Sequence, residues 1–75
     1  MDLEGIKLQK QEIMECAVDW VNVREIKNST RFGRDALQKK LPEMAEEGLL
    51  VVDESEKTYY YRTDSAYLPS VYDMD

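Results

Sequence analysis

Arg24, Lys27, Arg31, Arg34, Lys39 and Lys40 crowd into residues 24–40, against only Glu25 and Asp35 in the same window. Gathered guanidinium and ammonium groups neutralise phosphate, and some of these residue types also read bases. Arg makes a two-point contact with guanine, and the interleaved Gln38 offers the same to adenine. The rest of the chain runs the other way. Residues 1–23 set Lys7 and Lys10 against five carboxylates, and residues 41–75 set Lys57 and Arg62 against nine. With a formal net charge of −6 over 75 residues, an evenly acidic surface would repel a duplex. Only the segregation of charge makes a nucleic-acid-facing surface feasible. The bland alternative is a solvated helix face supported by an Asp35–Lys39 pair at i, i+4.

Other chemistry has few parts to work with. The chain has no His and one Cys, so neither a zinc cluster, a Cys-His nucleophile nor an internal disulfide can be assembled from it. The carboxylates of "EMAEEG" and "VDESE" lack calcium-loop spacing, and Gly33 and Gly48 belong to no phosphate-cradling motif. No enzyme activity, metal or cofactor is expected. No apolar run approaches the roughly 20 residues that span a bilayer, and the start lacks the basic-then-apolar pattern of a signal peptide. A cytoplasmic protein without membrane contact is the expectation.

These residues need elements to hold them. At 43% hydrophobic and 35% charged residues the composition is globular. Its length suits one domain, placed over residues 1–64, with a tail over 65–75. Leu3, Ile6, Ile13, Met14, Ala17, Val18 and Val21 trace an amphipathic helix over roughly 3–21. Cys16 reads as a buried thiol within it and Trp20 as a core anchor at its end. Asn22 followed by Glu25 is a variant capping box opening a short second helix with Val23 and Ile26 inside. "NST", residues 28–30, reads as a turn.

Leu37, Leu41 and Met44 at i, i+4 and i+7 predict a third helix facing a core, stopped at Gly48. Pro42 falls within it and removes the hydrogen bond to the Gln38 carbonyl, so either a kink at residues 40–41 or a fresh turn starting at Pro42 is expected. After Gly48, "LLVVD", "ESEK" and "TYYYRT" read as two strands and their connection. Tyr59 and Tyr61 share one face, Tyr60 takes the other, and all three belong to core or sheet. The tail, with Tyr67, Leu68, Val71 and Tyr72, packs either on the domain or on a neighbour.

The segment "GRDALQKKLPEMAEEGLLVVDESEKTYYYR", Gly33–Arg62, resembles the recognition-helix-and-wing half of winged helix-turn-helix proteins, including small phage and plasmid regulators and replication-associated proteins. The resemblance rests on the spacing of Leu37, Leu41 and Met44, the acidic helix end at Glu46 and Glu47, the Gly48–Leu49 pair, and an aromatic hairpin. It implies an α+β fold of three helices followed by a β-hairpin wing. The third helix, near residues 31–41, would enter the major groove of double-stranded DNA. The departures are Pro42 and a wing tip carrying Asp53, Glu54 and Glu56 with only Lys57 to offset them, a tip that phosphates would repel.

With Leu37, Leu41 and Met44 inward, a rotation of about 100° per residue sends Arg31, Asp35, Gln38 and Lys39 to the opposite face and Arg34 to its flank. Those are the expected base-reading residues. Lys40, Arg24 and Lys27 suit phosphate, and Ser29 or Thr30 at the start of the third helix would add a contact where exposed amides favour an anion. A palindromic site would require a homodimer, with "AYLPSVY" as its candidate contact. The rival function class is protein recognition, in which the acidic first helix, wing and tail engage a basic partner surface.

Overall fold

Residues 3–72, which the computed structural model describes, form α1 (Leu8–Cys16), β1 (Val21–Asn22), α2 (Val23–Ser29), α3 (Arg34–Glu46), β2 (Leu50–Asp53), β3 (Tyr60–Thr63) and α4 (Leu68–Tyr72). The result is a small α+β domain with a three-stranded antiparallel sheet in the order β1-β3-β2. No described helix is long and apolar enough to cross a membrane.

The first helix is shorter than its apolar stripe predicts. Leu3 and Ile6 do pack against the core, but through a turn at Gly5, whose φ of 87° suits a residue without a side chain. The Gln11 amide donates to the carbonyls of Leu3 (3.3 Å) and Ile6 (2.7 Å), so a side chain supplies what helical continuation would have supplied. At the other end, the buried Thr63 takes over. Its hydroxyl donates to the Met14 carbonyl at 2.7 Å and its N–H to the Ala17 carbonyl at 2.7 Å. Val18 and Val21 then contribute to the core from loop and strand.

Val21 pairs with Tyr61 on the core side of β3. Alternation along that extended stretch turns the preceding Trp20 outward, so it is 38% exposed and no core anchor. The Arg62 guanidinium lies 5.1 Å from the centre of its ring, a cation–π contact on the outer face of the sheet. Cys16 is half-buried and free, less enclosed than its place in the stripe predicts.

The Asn22–Glu25 capping box is present. Asn22 Oδ1 accepts from the Glu25 N–H at 2.9 Å, and Glu25 Oε1 accepts from the Asn22 N–H at 3.4 Å. Leu37, Leu41 and Met44 of α3 are fully buried with Ile13, Met14 and Ile26. Each such side chain contributes about 1.5–3 kcal/mol on leaving water. α3 runs through Pro42 as a single helix from Arg34 to Glu46, so no fresh turn begins there. The residue is exposed, and burial of the stripe on either side holds the helix together past the missing N–H. A Schellman pattern ends the helix: the Leu49 N–H donates to the Met44 carbonyl and the Gly48 N–H to that of Ala45, with Gly48 at φ 82°.

β2 and β3 form the expected hairpin, with Val52 opposite Tyr61 and Asp53 opposite Tyr60. Two elements were not foreseen. One is β1, which makes β3 the central strand. The other is α4, which buries Val71 and, with Tyr67 just before it, adds to the core beside α1. Asp73 and Asp75, counted among the acids of the tail, lie outside the described residues.

A candidate nucleic-acid interface

Capping of α2 by Asn22 orients that helix so that Arg24 and Lys27 look toward the first turn of α3 and the return arm of the hairpin. There Asn22, Val23, Arg24, Lys27, Arg34, Lys57, Thr58 and Tyr59 line a trough of about 560 Å³. Four cations from three separate parts of the chain meet in it, and none of its lining residues is a carboxylate. Glu25, adjacent to Arg24 in sequence, is occupied by the cap. A second depression of about 430 Å³ continues the trough along α3, sharing Val23, Lys57 and Tyr59 and adding Gln38, Leu41, Pro42 and Tyr61.

The third helix acts as a divide. Its residues 34, 38 and 42 succeed one another at i, i+4 and i+8 on the hairpin side. Asp35 and Lys39 lie beyond, where they line a separate hollow with Ala36, Lys40 and Glu43. Lys40 leans toward α1: its ammonium donates to Gln9 Oε1 at 3.3 Å and lies 5.6 Å from the centre of the Phe32 ring. Arg31, in the loop before α3, approaches Glu12 of α1 at 3.5 Å. Of the ten residues expected to face DNA, Arg24, Lys27, Arg34 and Gln38 therefore gather along one trough. Asp35, Lys39 and Lys40 lie across the helix from it, and Arg31 pairs with α1.

Ser29 and Thr30 are placed differently from the expectation. They end α2 and do not start α3, which is preceded by Gly33. The Thr30 hydroxyl donates to the Ile26 carbonyl at 2.8 Å and accepts from the Phe32 N–H at 3.4 Å, so it serves the turn between the helices. Sequence reasoning also missed residues. Asn22, Lys57, Thr58 and Tyr59 join the trough only because the hairpin folds back beside α2 and α3. The signal available was that Lys57 ends the polar connection and begins the return toward "TYYYR", which turns it away from the acidic tip.

Electrostatics reinforce the separation. The Lys10 ammonium reaches Glu47 at 2.6 Å and Glu43 at 3.1 Å, with only 11% of its side chain exposed. These hydrogen bonds, Glu47 first and Glu43 second, raise the Lys10 pKa above its ordinary value. Two carboxylates at the end of α3 are thus held on the α1 side, away from the trough. At the hairpin turn, hydrogen bonds from Ser55, from its side chain and then its backbone, hold Asp53 below the usual carboxylate range. That end of the hairpin stays ionised and negative. Comparison with family models, curated proteins and solved structures finds no match for this chain.

Proposed function

We propose that this chain is a small winged-helix protein that binds DNA, acting as a transcriptional regulator or as an accessory factor in replication or recombination. The observation that carries the reading is the trough in which Arg24, Lys27, Arg34 and Lys57 converge without a carboxylate among the lining residues, in a protein of net charge −6. Random scatter of ten cations among sixteen acids does not favour such a place. A phosphate backbone is the polyanion that four converging cations suit.

The succession of helix, short helix, longer helix and flanking hairpin is the one the winged-helix resemblance implies, which supports the fold part of the reading. A helix with side chains is about 10–12 Å across and the major groove about 12 Å wide, so α3 fits as the element that enters it. Gln38, Asp35 and Lys39 would then meet base edges while the trough cations hold phosphates. Homodimerisation on a palindrome would use surface outside the trough. Tyr67 and Val71 of "AYLPSVY" already serve the protomer's own core.

Protein recognition is the second reading, favoured by the exposed Trp20 and by the ionised hairpin turn at Asp53. A titration of labelled random-sequence duplex at about 50 and about 200 mM salt separates the two. The DNA reading expects binding that fades with salt, is weakened by Arg34→Ala, and is unchanged or improved by Glu54→Ala. No binding at the lower salt overturns it in favour of a basic protein partner.

A further inference from the structure

The second depression differs in chemistry from the first. Val23, Leu41 and Pro42 provide apolar lining, Tyr59 stands at its junction with the basic trough, and Gln38 and Lys57 supply its polar edge. Tyr59 is 50% exposed there, an aromatic face open to solvent beside converging cations. A continuous duplex gains little from such a place, because its bases are stacked on each other and it presents phosphates, sugars and groove edges. An unpaired nucleotide gains a great deal. Its phosphate stays with the cations, its base stacks on the tyrosine over an apolar floor, and the Gln38 amide can hydrogen-bond a base edge.

The hairpin turn argues in the same direction. Asp53, Glu54 and Glu56 lie just before Lys57 along the chain, so a second backbone crossing the hairpin would meet carboxylates. The geometry points to a duplex with a single-stranded extension as the ligand class of this protein, with the duplex at α3 and an unpaired nucleotide held against Tyr59. The inference rests on the DNA reading above and narrows it from duplex to junction.

Anisotropy with three labelled DNAs tests it: a blunt duplex, the same duplex with an overhang of about four thymidines, and that overhang made abasic. The intact overhang is expected to tighten binding about fivefold or more, the lower bound for one base stacked on an aromatic side chain. The abasic overhang, which keeps the phosphates, should lose that gain. Tyr59→Ala should bring the ratio of overhang to blunt affinity to about one, and Tyr59→Phe should restore it. Equal affinity for blunt and overhanging DNA, or a gain that survives removal of the bases, overturns the junction while leaving duplex binding intact. Absence of salt-sensitive binding to all three DNAs removes the DNA reading and the junction with it. The abasic comparison uses the unaltered protein, so a misfolded variant cannot decide the outcome.

Discussion

Neutralising Arg34 by substitution with Gln should flatten the salt dependence of duplex binding by a calculable amount. Each neutralised phosphate contributes about −0.9 to the slope of log K against log salt. Arg24, Lys27, Arg34 and Lys57 meet in the trough; if each holds one phosphate, the slope is about −3.6, and affinity falls about 150-fold between 50 and 200 mM salt. Arg34→Gln leaves three contacts, a slope of about −2.7 and a fall of about 40-fold over the same range. Lys57→Gln should match it, although Lys57 is 23 positions further along the chain. Lys40→Gln is the control, since the Lys40 ammonium is directed to Gln9 and the Phe32 ring. It should leave the slope near its original value. Titration at four or more salt concentrations reads all three variants. The reasoning fails if Arg34→Gln keeps the full slope, or if Lys40→Gln flattens it as much as Arg34→Gln does.

Thr63→Val removes the donor to the buried Met14 carbonyl at nearly constant volume and should cost about 1–3 kcal/mol in urea unfolding, whereas Thr63→Ser keeps the hydrogen bond and most of the stability. Gly48→Ala forces a side chain into a backbone of φ 82° with open space around it, so conformational strain and not a clash should lower stability by about 1–2 kcal/mol, read as a drop in Tm. Alkaline unfolding follows from two groups that hold their protons more tightly when folded: Lys10 through Glu47 and Glu43, and Tyr61 through burial first and the Tyr59 and Glu54 charges next. Their contribution is complete below the ordinary values of 10.0 for Tyr and 10.5 for Lys and is lost as pH rises through the folded values. The urea midpoint should therefore decline above about pH 10, and Lys10→Met should make that decline shallower.

Local signals were readable in the sequence where one residue's chemistry acts on its near neighbours. The Asn22–Glu25 cap, the Leu37, Leu41 and Met44 stripe, the Gly48 stop and the hairpin after it all depend on separations of a few residues. What escaped depends on partners far along the chain. β1 is two residues long and has no periodicity of its own; it exists because β3 offers it a ladder. Trp20 lies outside the core for the same reason, since its outward direction comes from that pairing. The first helix is shorter than its apolar stripe because apolar spacing reports burial and not backbone: Leu3, Ile6, Val18 and Val21 all pack inward from turns, loop and strand. In the trough, Arg24, Lys27, Arg34 and Gln38 belonged to the basic window. Lys57 and Tyr59 arrive from the hairpin, and no rotation about a single helix axis could have located them.

The sheet order β1-β3-β2 makes the last strand synthesised the central one. Until Tyr60–Thr63 has left the ribosome, neither Val21–Asn22 nor Leu50–Asp53 has a ladder partner, and the final carbonyls of α1 lack the Thr63 donors. Helical segments can form early from local contacts, but closing this sheet joins residues about forty apart along the chain, a loop whose closure is entropically unfavourable. The trough is assembled by the same event, because Lys57 and Tyr59 ride on the arm that leads into β3. A nascent chain ending before residue 57 therefore carries the basic helices without their facing wall, and capacity for its ligand should appear together with tertiary structure and not before it.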